Sequence, residues 1–525
     1  MIFKKLVLFL MFLVLTGCGE VTTGGGTQTE TVTVTLSGTV TYDSIPYKST
    51  TSAGLDYNNI VKRNVRGAKV TVENSSGTTL GTTTTDENGF YSLSVTGTSV
   101  RVRVFAQMYK AASSNQSSWD FQVKDNTNSA KPIYVINGTY ANLGENSSQT
   151  RNLHASSGWG GSSYTSTRAA APFSILDVVY QSVQKVLTAD ENIVFPALDI
   201  FWSTENREAT ISTSHYSSSE VALYILGKEN ADTDEYDSAV LAHEWGHYYE
   251  DKFSRSDSIG GSHSHGDMLD IRVAFGEGFA TAWGGLITGT QYYQDSGGDG
   301  QQKTLVSVDL DDGGSTQNEG WFSEASIYHM IYDIYDTNDD TGDTLSLPFA
   351  SLHNLLIDAQ KNTAAFTSIF SYITALKAQN PTKLTEIDAI TNNEGIAPIS
   401  DIYGANRTNR AVNANPLYTD VSVGASATLF PNYSVASQRN KYVLGEYNFV
   451  KFTVPTERSY TVTVNGTVGT NLSFLVFKEG SKSISLASSS GNSISDSGTL
   501  SVGDYRMYIS DSNRLNASTL TVTLN

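Results

Sequence analysis

Residues 243–247 read His-Glu-Trp-Gly-His, in a chain that has only eight histidines. In a helix, His243 and His247 lie one turn apart on the same face, so both imidazoles can bind one zinc ion. Glu244 then stands beside the metal-bound water, where it can act as a general base. Zinc-assisted hydrolysis of a peptide bond requires these components. The alternative is a surface helix whose polar residues only face water.

A zinc ion needs a third protein ligand, and this ligand separates the zincin families that the string resembles. Metzincins have a glycine three residues after the second histidine and a further histidine six residues after it, whereas these positions hold Glu250 and Phe253. Gluzincins take a glutamate from the next helix, within a Gly/Asn-Glu-small pattern. Gly276-Glu277-Gly278 is similar to that pattern, and the likeness covers about fifty residues. The resemblance to gluzincins therefore implies Glu277 as the third ligand.

The surroundings of Glu277 bear on this assignment. Its neighbours Phe275 and Phe279 predict a buried segment, in which an ionised carboxylate needs a partner. Glu277 lies 30 residues after His247, a longer separation than in thermolysin-like enzymes, and the polar loop 254–270 can hold the surplus. His263 and His265 lie in that loop. They remain rival third ligands, or solvated histidines that border the active-site cleft.

One position departs from the thermolysin-like pattern. Four residues after the glutamate ligand those enzymes have an aspartate that supports a zinc histidine, and this chain has Thr281. A hydroxyl can accept the same hydrogen bond but adds no charge. Either another carboxylate supplies the charge, or the site is weaker.

A further candidate lies in residues 320–333, which read as a helix. Gluzincins commonly place a histidine or tyrosine from a later helix over the scissile carbonyl to stabilise the oxyanion. By this resemblance His329, with Tyr328 or Tyr332, is the candidate for that role. The alternative is an aromatic packing stripe that contains a hydrogen-bonded histidine.

Residues 336–343 have the alternating oxygen-bearing side chains of a calcium loop. Gly342 comes one position too late for an EF-hand, and no glutamate follows at the required distance. An acidic, solvated loop is the better interpretation, and calcium binding stays the alternative.

The N-terminus has Lys4 and Lys5, an apolar run 6–15 and the sequence Leu-Thr-Gly-Cys at 15–18. The run is too short for a permanent membrane span. This segment resembles the lipobox of bacterial lipoproteins, which implies a signal peptide 1–17, a lipid on Cys18 and a flexible linker 18–30. The protein would then be exported and anchored to a bacterial membrane, the outer membrane in a Gram-negative host. The alternative is an ordinary secretory signal with an incidental cysteine.

Composition restricts the class of protein. Cys18 is the only cysteine, so the exported chain would fold without a disulfide. The net charge of −19 with 39% hydrophobic residues describes an acidic soluble exoprotein. No basic stripe is present that could bind phosphates, which argues against nucleic acid as a partner.

The 525 residues exceed what one core usually serves, which predicts several domains. Residues 31–125 alternate apolar and polar side chains, as in 68–72 and 100–104, and predict a β-sandwich that resembles the carboxypeptidase-regulatory-like domain. Residues 126–410 would form the gluzincin-like domain, with a helix over 172–187, strands at 193–202 and 221–226, and the zinc helix from near Asp237. In zincins an edge strand before that helix binds an extended peptide, which makes Ser219 to Leu226 the candidate edge.

Residues 419–525 return to short alternating strands. The segments 447–454, 460–464, 472–477 and 500–509 resemble the bacterial pre-peptidase C-terminal domain, a β-sandwich that usually accompanies secreted peptidases. The predicted fold class is therefore multidomain, with a β-sandwich, an α+β zincin-like catalytic domain and a second β-sandwich.

The predicted function is zinc-dependent hydrolysis of a protein or peptide substrate. His243, His247 and Glu277 would bind zinc and Glu244 would be the base. An endopeptidase is favoured, since no motif for capturing a chain terminus is present. The alternative is a non-catalytic surface binding or adhesion lipoprotein that retains a zincin scaffold.

Overall fold

The computed structural model describes residues 32–48, 54–144, 146–311, 318–337, 343–410, 414–433, 443–514 and 518–525. The predicted signal peptide 1–17, Cys18 and the linker 18–30 lie outside the described residues, as do positions 338–342 of the predicted calcium loop. None of the described helices combines the length and the apolar character needed to cross a membrane.

The N-terminal part of the described chain consists mainly of strands. These are β1 (Val32–Ser44), β2 (Val61–Asn64), β3 (Ala68–Asn74), β4 (Thr79–Thr84), β5 (Phe90–Gly97), β6 (Ser99–Lys110), β7 (Trp119–Lys124), β8 (Val135–Asn137), β9 (Ala141–Asn142), β10 (Ser148–Thr150) and β11 (Leu153–Ala155). Alternate side chains of β1, among them Val34, Leu36 and Val40, are buried, as the period-two pattern predicts. β1 is central to its sheet, with β2 and β5 antiparallel to it and β10 and β11 parallel.

Helices and short strands follow. They are α1 (Ala171–Leu187), β12 (Leu198–Trp202), α2 (Glu208–Ile211), β13 (His215–Ser217), β14 (Ala222–Ile225), β15 (Gly227–Lys228), β16 (Asp232–Thr233), α3 (Ser238–Phe253), α4 (Ile271–Thr288), β17 (Tyr292–Gly297), β18 (Lys303–Asp309), α5 (Glu324–Tyr335), α6 (Phe349–Leu355), α7 (Ile369–Gln379) and α8 (Leu384–Asn393). A single π turn, Leu356–Gln360, extends α6.

A sheet that has nine strands within the described residues joins the two parts. Its order is β13-β14-β12-β7-β6-β3-β4, with β8 and β9 beside β6. β7 and β12 pair in parallel, from Phe121 opposite Leu198 to Lys124 opposite Phe201. The predicted domain boundary at residue 125 therefore falls inside a sheet that continues on both sides. A smaller sheet, β15-β16-β17-β18, lies next in the chain.

The C-terminal part is again made of strands. These are β19 (Tyr418–Asp420), β20 (Ala425–Leu429), β21 (Asn448–Val454), β22 (Arg458–Gly466), β23 (Leu472–Lys478), β24 (Ile484–Ser489), β25 (Ser493–Leu500), β26 (Gly503–Asp511) and β27 (Leu520–Leu524). They form two sheets, β19-β21-β26-β23-β24 and β20-β27-β22-β25, around a hydrophobic core of their own. The chain is thus multidomain and strand-rich, and this part is consistent with a β-sandwich.

Arg272 of α4 links the C-terminal sheets to the helical part. Its guanidinium is bound to Asp270 through Nε and Nη2, at 2.8 and 3.0 Å. The same group lies within 5.1 Å of the centres of four aromatic rings: Phe366, Tyr447, Phe449 and Tyr508. The last three rings belong to the C-terminal part, so these contacts fix the start of α4 against it.

Candidate metal centre

Two helices position the predicted zinc ligands. α3 carries His243 and His247 one turn apart, and α4 carries Glu277. Glycine allows the helices to approach closely, because a Cβ at Gly246 would lie 3.2 Å from the Cα of Ala280. Gly278 leaves no room for a side chain either, since its Cβ would lie 2.6 Å from Ile327 of α5. Gly246 therefore lets α3 and α4 approach with their ligand-bearing faces together, and Gly278 lets α5 pack closely against α4.

The three side chains meet at one point. His243 Nε2 and His247 Nε2 are 3.0 Å apart. Glu277 Oε2 lies 3.4 Å from His243 Nε2 and 3.2 Å from His247 Nε2. These three residues are one of the groups of described residues whose ligand atoms all lie within 4.8 Å of one another. The arrangement can hold a metal ion.

Glu244 lies beside the cluster without being part of it. Its carboxylate is 4.0 Å from His243 Nε2 and is buried. Burial raises the pKa of Glu244 to about 8. The main-chain N–H of Tyr216, on β13, donates to this carboxylate, which lowers the pKa by less than burial raises it. A carboxyl group with a raised pKa, close to two imidazoles, is suited to accept and return a proton.

Thr281 occupies the position that the sequence marks as a departure. Its Oγ1 lies 3.0 Å from His243 Nδ1. His243 Nε2 faces the other two ligands, so a metal bound there would leave the proton on Nδ1, which would donate to the hydroxyl. The threonine thus fixes the orientation of the ring without adding charge.

A buried carboxylate lies near the second histidine. Glu250 lies three residues after His247 in α3 and is 1% exposed. Burial raises the pKa of Glu250 to about 7, and the nearby His247 lowers it. Glu250 is therefore a buried titratable group on the histidine side of the site, to which the sequence pattern assigned no role.

The three side chains of the cluster differ in the direction in which their pKa values are shifted. Burial lowers the pKa of His243 to about 4. The pKa of His247 is raised to about 9, since the carboxylate of Glu277 outweighs the effect of burial. Burial favours the neutral form of Glu277, but the adjacent histidines hold its pKa well below the usual range. Glu277 is thus an anion facing the two rings.

His263 borders the cluster, and His265 lies further out. His263 Nδ1 lies 3.1 Å from the carbonyl oxygen of Gly261, and its Nε2 lies 3.5 Å from Glu277 Oε2. Glu324, at the start of α5, is 3.3 Å from His263 Nε2 and 3.8 Å from His265 Nδ1. Sequence reasoning did not single out Glu324, because nothing in the primary structure relates it to residue 263.

His329 is engaged elsewhere. Its Nδ1 lies 3.0 Å from Glu394 Oε1, and its Nε2 lies 3.2 Å from the main-chain oxygen of Asp309. The side chain is 2% exposed. In this conformation neither ring nitrogen is free to donate to a substrate carbonyl, so the arrangement matches the packing alternative. The oxyanion role of His329 stays a prediction that these contacts do not favour.

The predicted substrate edge, Ser219 to Leu226, is wrong. The strand within it, β14, is paired on both sides, in parallel with β12 and antiparallel with β13. β13 is the terminal strand of the sheet among the described residues. The short polar segment His215–Ser217 gave no periodic signal, which is why the sequence pattern pointed to the apolar strand next to it.

No family model matches the chain, and no curated protein matches it. Solved structures give partial likenesses. The pre-peptidase C-terminal domain of a collagenase from Bacillus anthracis has 13% identity and a TM-score of 0.17, over 22% of this chain and 100% of that one. A periplasmic inhibitor of g-type lysozyme from Aeromonas hydrophila has 16% identity and a TM-score of 0.14, over 21% of this chain and 97% of that one.

A β-glucosidase from Paenibacillus barengoltzii has 13% identity and a TM-score of 0.13, over 29% of this chain and 18% of that one. All of these TM-scores are too low to assign a fold or an activity to the whole chain.

Proposed function

We propose that this protein is a zinc-dependent endopeptidase, in which His243, His247 and Glu277 hold the metal. The observation that carries the proposal is the meeting of two Nε2 atoms and one carboxylate oxygen at separations of 3.0, 3.2 and 3.4 Å. Three ligands about 2.0–2.1 Å from one zinc ion, in tetrahedral directions, are about 3.3 Å apart. The donor types and their spacing both fit zinc.

Each residue of the site has a distinct task. A zinc ion bound there supplies Lewis-acid chemistry, which polarises a carbonyl and makes water acidic enough to react at neutral pH. Glu244 accepts the proton of the attacking water as the new C–O bond forms, and returns it to the leaving nitrogen as the C–N bond breaks. Thr281 keeps His243 in the tautomer that presents Nε2 to the metal.

His263 is proposed as the group that polarises the substrate carbonyl. Its Nδ1 is bound to Gly261, which leaves Nε2 directed toward Glu277 and Glu324 at the rim of the cluster. Burial lowers the pKa of His263, but the carboxylates of Glu277 and Glu324 outweigh it and raise the pKa above the ordinary value. The protonated ring can donate from Nε2 and stabilise the oxyanion of a tetrahedral intermediate.

An extended peptide is the substrate that the surroundings favour. β13 offers an unpaired strand edge among the described residues, and its Tyr216 N–H faces Glu244. A peptide added to this edge would be held by main-chain hydrogen bonds, which carry little sequence selectivity. With no group assigned to a chain terminus, cleavage within a chain is proposed.

The sequence motif at residues 15–18 supports an exported, lipid-anchored location. On this proposal Cys18→Ser would release the protein from the membrane fraction or leave an unprocessed precursor. A processed Cys18→Ser protein that still sediments with membranes would refute the anchor.

The competing function is a surface binding protein that retains the site without catalysis. The uncharged Thr281 is the feature that favours it, because weaker support of a zinc histidine lowers affinity or activity. Zinc content by atomic absorption and cleavage of a broad peptide library, on the same purified protein, separate the two. One zinc per chain with cleavage abolished by metal removal supports the peptidase; one zinc with no cleavage supports the binding protein.

A further inference from the structure

A second group of acidic side chains lies away from the zinc-type cluster. Asp232 on β16, Asp234 just after it and Asp295 on β17 offer carboxylate oxygens that all lie within 4.8 Å of one another. Asp237, the residue before α3, is next to them, because its Oδ2 accepts hydrogen bonds from Ser296 N and Oγ at 2.9 and 2.7 Å. Side chains from β16, the segment before α3 and β17 thus converge.

Two of these carboxylates, Asp234 and Asp237, are buried, while Asp232 and Asp295 are half-buried. Asp234 is 2% exposed and Asp237 is 1% exposed. One oxygen of each of Asp232, Asp234, Asp237 and Asp295 is buried and has no hydrogen-bond partner, and the same holds for Oγ1 of the fully buried Thr233. Among the described residues, no lysine or arginine forms an ion pair with these four. The neighbouring Arg168 pairs with Glu235 instead.

This concentration of charge is unfavourable as it stands. Burial raises the pKa of all four carboxyls, and neighbouring aspartates raise it further for Asp234, Asp237 and Asp295. Buried carboxylates are stable when they are protonated, paired or bound to a metal. The unpartnered oxygens at the centre of the group distinguish it from a solvated acidic surface.

We propose that Asp232, Asp234 and Asp295 bind a calcium ion, with Asp237 contributing charge beside it. Every available ligand atom is oxygen and no histidine or cysteine takes part, which selects a hard cation. Calcium–oxygen distances of about 2.3–2.6 Å allow no two ligands of one ion to be more than about 5.2 Å apart, and the three carboxylate oxygens lie within 4.8 Å of one another. Main-chain oxygens and water would complete the shell.

The cation would stabilise the part of the fold that carries the zinc helix. The chain runs from β16 through Asp237 into α3. β17 carries Tyr293 two residues before Asp295. The ring of Tyr293 is 5.9 Å from that of His243. Calcium would therefore join a strand pair to the start of the helix that holds His243 and His247, about one and a half turns from the first histidine.

The proposal is independent of peptide hydrolysis and is tested without an activity assay. Full-length zinc-loaded protein in calcium-free buffer is titrated with CaCl₂, while calorimetry measures binding and circular dichroism measures Tm. We expect one saturable site with a Kd below about 1 mM and a Tm that rises with calcium, because a ligand of the native state stabilises it. Zinc content is measured in parallel and stays constant.

The variants Asp234→Asn and Asp295→Asn keep the size of the side chain. Each should weaken calcium binding at least tenfold and abolish the calcium-dependent rise in Tm. Without calcium, their Tm should equal or exceed that of the wild type, since one buried like charge is gone. A carboxylate that merely accepts hydrogen bonds would not make the wild type more stable than the variant with calcium and no more stable without it.

Two matched variants act as controls. Asp340→Asn alters the acidic loop 336–343, and Asp420→Asn alters an exposed aspartate paired with Lys451. Both should bind calcium as the wild type does. Absence of calcium binding to the wild type, binding retained by Asp234→Asn and Asp295→Asn, or binding lost in Asp340→Asn would each overturn the site.

Discussion

His243 Nδ1 lies within hydrogen-bond distance of Thr281 Oγ1, at 3.0 Å, and its Nε2 faces His247 and Glu277. The threonine lies one turn after Glu277, so α4 supplies both a candidate ligand and the group that orients another. A neutral acceptor fixes the tautomer of the ring but does not increase its basicity as a carboxylate would.

Removing this hydroxyl should weaken metal binding. Thr281→Ala is expected to lower zinc affinity by about tenfold to a hundredfold, the range for loss of a group that orients a ligand. The measurement is competition with a chromophoric chelator. Thr288→Ala, which removes a hydroxyl bound to Gly284 O two turns later on the same helix, is the control and should keep wild-type affinity. Equal affinities for all three proteins would contradict the role of Thr281.

Metal content should depend on Glu277 and not on the loop histidines. Glu277→Ala is expected to lower zinc affinity at least tenfold, because it removes one of three direct ligands. His263→Ala and His265→Ala should retain one zinc per chain by atomic absorption. Zinc lost with His263→Ala but kept with Glu277→Ala would reverse the assignment. Binding to the wild type should also weaken on acidification, since protons compete with zinc for the ligating imidazoles, first of all for His247, whose pKa is raised.

His263 and His329 should affect different properties. His263→Ala is expected to lower kcat by about 10²–10³-fold, as for loss of an oxyanion donor, with zinc content unchanged. His329→Ala should mainly lower Tm, because it breaks the contacts with Glu394 and Asp309 O within a buried region. Steady-state kinetics and thermal unfolding on both variants provide the test. A fall in kcat with His329→Ala alone would restore His329 to the oxyanion position.

A buried histidine behind the zinc helix should make stability dependent on pH. His353 is fully buried, its Nδ1 lies 2.6 Å from Tyr249 Oη, and burial lowers its pKa below the ordinary 6.5. Protonation is then easier in the unfolded chain, so stability is present above pH 6.5 and is lost as pH falls toward the lowered value. Urea unfolding of wild type and His353→Leu between pH 7 and pH 5 tests this.

The free energy of unfolding of the wild type should fall more steeply over that range. The two slopes should differ by at most about 1.4 kcal/mol per pH unit, the limit for one proton. Parallel pH profiles would show that His353 takes up its proton equally in both states.

Local patterns predicted much of the helical part. The proline-led pattern at 172–187 corresponds to α1, Ala171–Leu187, and the helix expected near Asp237 begins at Ser238. Residues 352–376 also repeat apolar side chains at helical spacing, but the structure has two helices there, α6 and α7. Ser368 marks the break, because its extended backbone precedes α7 and its N–H donates to Ser371 Oγ in the first turn, at 3.0 Å. Periodicity alone does not show where one helix ends and the next begins.

Contacts between distant segments were beyond the sequence. The resemblance to thermolysin-like enzymes pointed to Thr281 as a support for a zinc histidine, but the approach of His263 to Glu324 depends on a loop conformation. The acidic group was missed for the same reason, since Asp295 reaches Asp234 only through the pairing of β16 with β17. The edge strand β13 was missed because three polar residues have no recognisable period.

The central claim is that Glu244 acts as a base next to a zinc ion. Glu244→Gln keeps the shape of the side chain and removes its basicity, so the variant should fold and bind one zinc per chain as the wild type does. Its rate of peptide hydrolysis should fall by about 10²–10⁴-fold, the usual contribution of a positioned general base. Hydrolysis of the best library peptide by both proteins, with zinc content measured on the same samples, decides the matter. A Glu244→Gln protein that cleaves as fast as the wild type would contradict the mechanism.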